Sequence, residues 1–168
     1  LSPNVLLAKA GLLDVDEAGR VASWRAYMQS SGVSGQLFVS DDDALRAARA
    51  ALQPLVDDGL LTDVFTHEEV RERFHEDGEF ALMVEAAPNY GIGGDCTGEL
   101  VTPAGSADYK YAISTHGHLP FRGPRPPFIV AGPGVVPGRY AGARLIDEAP
   151  TLMRLAGIPF DASEADGE

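Results

Sequence analysis

Ser114-Thr115-His116-Gly117-His118-Leu119-Pro120 sets two imidazoles on either side of a single glycine. Behind it comes an apolar run closed by turn residues, Pro127-Phe128-Ile129-Val130-Ala131-Gly132-Pro133-Gly134. Histidine is the commonest side-chain ligand for zinc and related metals, and a neighbouring glycine lets the backbone crowd close to a bound ion or substrate. A His-x-His pair alone is not a metal signature, because most histidines are ordinary polar side chains. Its weight comes from the order of the segments around it.

Downstream, Leu145-Ile146-Asp147-Glu148-Ala149-Pro150-Thr151-Leu152 opens a helix. Asp147 is placed as its N-cap, and Pro150 falls in the first turn, where a missing N–H removes no helical hydrogen bond. Leu152, Leu155 and Ala156 form the apolar face, Gly157 stops the helix, and the acidic tail from Asp161 is expected to fray. The run Phe128 to Ala131 is predicted to be a strand.

Upstream, Ser2-Pro3 starts a first helix with Val5, Leu6, Leu12 and Leu13 as its apolar stripe. Residues 21–28 alternate, with Ala22, Trp24, Ala26 and Met28 on one face, which predicts a single half-buried strand. Residues 36–39 predict a second strand, joined to the first through Ser30-Ser31-Gly32 as a loose hairpin. Ser40 to Asp43 then starts a helix that Leu45, Ala48, Leu52 and Leu55 continue at helical spacing. The aspartates lack the later glycine and glutamate of a calcium loop.

Thr66 with Glu69 spells a capping box, and Phe65 and Val70 are spaced for the hydrophobic staple. His67 and His75 on that helix, amid Glu and Arg, read as solvated surface residues. Glu79 to Ala86, apolar through Phe80-Ala81-Leu82-Met83-Val84, predicts a strand ended by Pro88, followed by a glycine-rich loop over residues 88–98 and extended chain over residues 99–113. The loop glycines do not lead into a helix in the manner of a nucleotide-binding loop.

Composition narrows the partners. A formal net charge of −12 supplies no basic footprint for a nucleic-acid polymer. A small phosphate ester stays compatible with that charge, since a bound divalent metal reverses the local sign. No apolar run approaches the roughly 20 residues of a membrane span. A single cysteine, Cys96, excludes an internal disulfide and reads as a small, partly buried side chain.

Taken in order, the Ser-Thr-His-Gly-His-Leu-Pro segment, the Pro-Phe-Ile-Val-Ala-Gly-Pro-Gly run, the Leu-Ile-Asp-Glu-Ala-Pro-Thr-Leu opening and Leu155-Ala156-Gly157 resemble the C-terminal end of the alkaline phosphatase superfamily. The likeness is in particular to its type I phosphodiesterase/nucleotide pyrophosphatase branch. More loosely, the Asn-Val-Leu-Leu helix, the Trp24 strand and residues 82–94 resemble an insert of some bacterial members. The resemblance implies an α/β fold. Residues 1–100 would form a small, cap-like α+β insert. Residues 101–168 would form the C-terminal part of a metallo-hydrolase core, adding a strand and a helix to a larger sheet.

Carried across position by position, His116 matches the family's last metal-binding histidine, with Thr115 and Gly117 as its neighbours. Asp147 and Pro150 match a structural helix cap. Ser114 stands where glycine is usual, and His118 where an aromatic residue is common, which leaves His118 as a substrate contact or an alternative ligand. The family uses two zinc-like divalent ions to clamp an in-line displacement at phosphorus. Each ion needs several N and O ligands, and no Asp or Glu close to His116 in sequence completes a set, although Asp95 and Asp108 are candidates in space.

The family's Thr or Ser nucleophile, early aspartate and Asp-His-Gly segment find no match among these residues, so no catalytic residue is assigned here. The implied activity is that of a metal-dependent phosphoric ester hydrolase. This chain would be its C-terminal portion, inactive alone and partnered by the N-terminal part of the same protein. Sulfate esters, phosphonates and phosphomonoesters are the alternative substrates. A non-catalytic domain, with His116 and His118 merely packing in a loop, is the alternative of another class.

Overall fold

A computed structural model describes residues 1–119 and 121–167, so Pro120 of the histidine segment lies outside the described residues. The fold is mixed α/β, with two antiparallel sheets and four helices among the described residues. The chain divides into two compact units, residues 1–123 and 124–168.

The first unit opens with α1 (Pro3–Lys9), which has Ser2 at its N-cap and the proline in its first turn. Gly11, at φ +70°, reverses the chain after the helix. Leu12 and Leu13 are therefore not part of the helical stripe, although both are buried in the same core. Strand β1 (Leu13–Val15) pairs with β2 (Val21–Trp24) in a small sheet of its own. The single strand expected over residues 21–28 is thus two. The Leu12 carbonyl accepts from the N–H groups of both Arg25 and Ala26, which bends the chain there. The four residues of β2 are exposed, whereas β3 (Ala26–Ser31) buries Ala26 and Met28 completely.

Strand β3 forms a hairpin with β4 (Ser34–Val39) through Gly32-Val33. Helix α2 (Asp42–Asp57) follows, capped by Asp41, whose carboxylate accepts from the Ala44 N–H at 2.7 Å. Strand β5 (Leu61–Thr66), which sequence reading missed, runs directly into α3 (His67–Phe74). The capping box is present as predicted: Glu69 N–H donates to Thr66 Oγ1 at 3.2 Å, and Thr66 N–H donates to Glu69 Oε2 at 2.7 Å. Strand β6 (Leu82–Ala86) takes a central place in the four-stranded order β3-β4-β6-β5.

That central place gives β6 two buried faces. Leu82, Val84 and Ala86 join Leu37, Met28 and Leu61 beneath α1 and α2, with Ala48, Leu52 and Leu55 supplied by α2. Alternate residues point the other way, as the pleat requires. There Met83 and Phe65 meet Val70 and Phe74 of α3, together with Phe80 and Leu119. The register places Glu85 on this second face, between Ser34 of β4 and Asp63 of β5.

After β6 the first unit continues without helix or strand among the described residues, including the stretch 99–113, expected to be extended. Cys96 is a free, buried thiol that donates to the Gly94 carbonyl. Burial, and then the neighbouring Asp95, push that thiol above its usual range.

The second unit contains α4 (Glu148–Ala156), preceded by a 3-10 turn over Leu145–Asp147. Asp147 occupies the N-cap position, and its carboxylate accepts from the Arg144 N–H at 2.7 Å. Gly157, at φ +67°, ends the helix. The strand expected at Phe128 to Ala131 does not form among the described residues: Phe128 is 42% and Ile129 86% exposed, with no ladder partner. An apolar run becomes a strand only when another strand takes up its backbone groups. No helix is long and apolar enough to cross a membrane among the described residues.

Candidate functional site

The His-Gly-His segment lies against the tip of the β3–β4 hairpin in the first unit, and two glycines make that approach possible. Gly32 has φ +84°, and a Cβ there would collide with the His116 carbonyl oxygen. Gly117 has φ +91°, and a Cβ there would collide with the Ser31 carbonyl oxygen. Only glycine tolerates both the left-handed backbone and the missing space. Val33 N–H then donates to the His116 carbonyl at 2.9 Å, and the Val33 carbonyl accepts from Ala86 N–H at 2.8 Å, tying the segment to the sheet.

Beyond Gly117 the chain crosses the second face of the sheet. Glu85 is only 3% exposed, and each of its carboxylate oxygens is engaged by this crossing segment. His118 Nδ1 lies 3.1 Å from Oε1, and Leu119 N–H donates to Oε2 at 3.3 Å. Leu119 fills the small core of Phe65, Val70 and Phe80, and Arg122 pairs with Asp63 at 2.6 Å. Glu85 and Asp63 stand opposite one another in the β5–β6 ladder, a placement that repels on its own. Each acid is answered by a side chain from residues 118–122.

A cleft of about 360 Å³ opens between this segment and strands β4 and β6. Phe65, Phe74 and Met83 line its apolar part, while Ser34, Glu76, His116 and His118 are among its polar lining. Glu76 accepts from Gln36 Nε2 at 2.7 Å. The two histidines differ sharply. His118 is half-buried and bound to Glu85, whereas the His116 imidazole is exposed and has no hydrogen-bond partner among the described residues. Glu85 carries no obvious signal in sequence, where it reads as the tail of an apolar run.

The remaining candidates separate from the cleft. His67 shares a 2.6 Å hydrogen bond with Asp77, which holds that carboxyl below its ordinary range, and the ring meets Phe80 edge-on at 5.2 Å. His75 caps α3 in the left-handed conformation, at φ 56°. Asp95 accepts from the Tyr111 hydroxyl at 2.8 Å, and neither Asp95 nor Asp108 lines the cleft. A second depression, of about 410 Å³, sits at the start of α2. Its Arg25, Asp41, Asp43 and Arg46 are paired with one another, so helix capping and ion pairs account for it.

The donor set does not complete a metal site. Among the described residues, no group of three or more His, Cys, Asp or Glu side chains is placed to hold a metal ion. Two carboxylates of the cleft are already engaged, Glu85 by His118 and Leu119, and Glu76 by Gln36. His116 is thus at most a single nitrogen donor contributed to a larger set. No family model, no curated protein and no solved structure matches the chain.

Proposed function

We propose that these residues are the histidine-bearing portion of a metal-dependent phosphoric ester hydrolase acting on small phosphodiesters. Its nucleophile and remaining ligands would come from sequence outside residues 1–168. The observation that carries this reading is the presentation of His116. Its carbonyl is held by Val33 and its neighbour Gly117 is wedged against Ser31, while its imidazole remains exposed at the cleft. The rings of His67 and His118 are each hydrogen-bonded to a carboxylate, and that of His116 has no such partner among the described residues. His116 combines a fixed backbone with an unengaged ring, which is what a ligand donated to an incomplete set requires.

In this reading the chain's residues orient and enclose. His116 offers one nitrogen lone pair from a pinned backbone. Phe65, Phe74 and Met83 give the organic portion of an ester an apolar surface, and His118 with Glu85 forms the adjoining wall. Two glutamates in the cleft and a net charge of −12 repel a free phosphate ester, so the substrate needs a cation to enter. When bound, divalent ions supply charge stabilisation and nucleophile activation at phosphorus.

The test uses the product of the complete gene, purified with zinc and assayed on nitrophenyl phosphodiester, phosphomonoester, phosphonate and sulfate substrates. The expected outcome is highest turnover on the diester, reduced to background by His116→Ala, with the 168-residue chain alone at background. Absence of turnover on all four substrates by the zinc-loaded protein refutes the reading. Turnover by the 168-residue chain, abolished by His116→Ala, refutes the division of the site.

A further inference from the structure

Glu85 is a buried acid in β6, an inner strand of the four-stranded sheet, with apolar residues on either side of it in the chain and Ser34 and Asp63 opposite it across the ladders. Burying a carboxylate is unfavourable unless its oxygens are satisfied. Both oxygens are satisfied by consecutive residues of one crossing segment: Oε1 by the His118 ring and Oε2 by the Leu119 N–H.

The ring is also confined from other directions. A Cβ at Gly123 would stand 2.5 Å from His118 Cβ and 3.0 to 3.1 Å from Cγ and Cδ2, so the glycine leaves the space that this imidazole edge occupies. On one side Leu119 is locked into an apolar cluster, and on the other Gly117 is wedged against Ser31. His118 therefore has its backbone anchored before and after it, and Nδ1 directed at one buried carboxylate.

A carboxylate accepts hydrogen bonds and does not donate them, so the Nδ1 that faces it carries the proton. In a neutral imidazole the other nitrogen then holds the lone pair, and the hydrogen bond made by one ring nitrogen decides the state of the other. Among the described residues Nε2 makes no hydrogen bond, and His118 lines the cleft. We propose that Glu85 is a positioning residue: whenever the His118 ring is neutral, Glu85 holds it in the Nδ1–H tautomer. Nε2 is thereby the one lone-pair nitrogen that His118 offers to a hydroxyl group or water in the cleft. The same arrangement of carboxylate and imidazole is what orients histidines whose second nitrogen does chemistry in other proteins. The tautomer follows from Glu85 and is independent of the reaction proposed above.

The experiment is a long-range proton–nitrogen correlation spectrum of the imidazoles in the uniformly ¹⁵N-labelled 168-residue chain. It is recorded at a pH where the histidine resonances have stopped moving, with His118 assigned by its absence in His118→Gln. The expected wild-type pattern is a pyrrole-type Nδ1 and a pyridine-type Nε2. In Glu85→Ala the His118 signals shift toward the Nε2–H form, while His67 keeps its wild-type pattern. A wild-type His118 protonated on Nε2 overturns the proposal, and that spectrum decides even if Glu85→Ala fails to fold. A folded Glu85→Ala chain that retains the pure Nδ1–H pattern also overturns it, because Glu85 would then be structural only.

Discussion

Replacing Gly117 by alanine tests how the histidine segment is held. The new Cβ meets two penalties. A left-handed backbone costs an L-residue about 1–2 kcal/mol, and Gly117 sits at φ +91°. The methyl also collides with the Ser31 carbonyl oxygen, which belongs to β3 and is paired with Ser34 across the hairpin. No side-chain rotation relieves a clash with a laddered backbone, so the segment has to lift. Lifting breaks the 2.9 Å Val33–His116 hydrogen bond, a further loss of about 1 kcal/mol. The expected total is about 2–3 kcal/mol from these two terms. Gly59→Ala is the control, since Gly59 has φ +68° with nothing within 4 Å of where the added methyl would stand, and it should show the backbone penalty alone. Urea denaturation at common m-value measures both variants, and amide hydrogen exchange at Val33 reports the broken contact. Equal destabilisation of the two variants, with Val33 protection unchanged in Gly117→Ala, would refute the docking of residues 116–119 on the hairpin.

Two further outcomes follow from helix starts. Thr66→Ala removes the N-cap oxygen that accepts from Glu69 N–H and should cost about 0.5–2 kcal/mol; a neutral result in the same denaturation assay would place the start of α3 elsewhere. Asp41 is held at about 2, below the ordinary 3.8, first by the Ala44 N–H and then by the Ser40 hydroxyl and Arg25. Its folded value is the lower one, so the unfolded chain takes up the proton first as pH falls. The contribution is present above about pH 4 and is lost as pH drops toward 2. Asp41→Asn should flatten the acid limb of the stability curve in that window, and an NMR titration that puts the Asp41 carboxyl at or above 3.8 contradicts the capping account.

Helix starts were legible because their chemistry is local. Asp41 reaches Ala44, and Thr66 and Glu69 reach each other, across three residues of chain. Any sequence with those residues at that spacing offers the same hydrogen bonds. The hairpin β3–β4 and the run that became β6 were legible for a related reason, since alternation, turn residues and a short apolar run closed by a proline are patterns of a few positions. The division of residues 21–28 was not. Each half joins a different sheet, and the bend at Arg25 is imposed by a carbonyl well upstream, at Leu12. Phe128 to Ala131 shows the converse, with strand-like composition and no strand paired with it among the described residues.

For the candidate site, residue types were readable and their roles were not. Two histidines around a glycine were evident from the letters, but the glycine read as room for a bound ion or substrate, whereas at Gly117 that room is taken by the Ser31 carbonyl. Which imidazole is engaged was decided by Glu85, 33 residues earlier and in register with Ser34 and Asp63 only because β6 lies between β4 and β5. A buried acid in a strand cannot be told from a solvated one until the other face of its sheet is covered. Here the cover is the same segment that carries the histidines. Sequence alone determined the capped helices, the hairpin and the presence of His116 and His118, because capping, turns and pleat alternation depend on near neighbours. Tertiary structure decided that His118 is held while His116 stays exposed, because that distinction rests on hydrogen bonds and steric gaps between residues far apart in the chain.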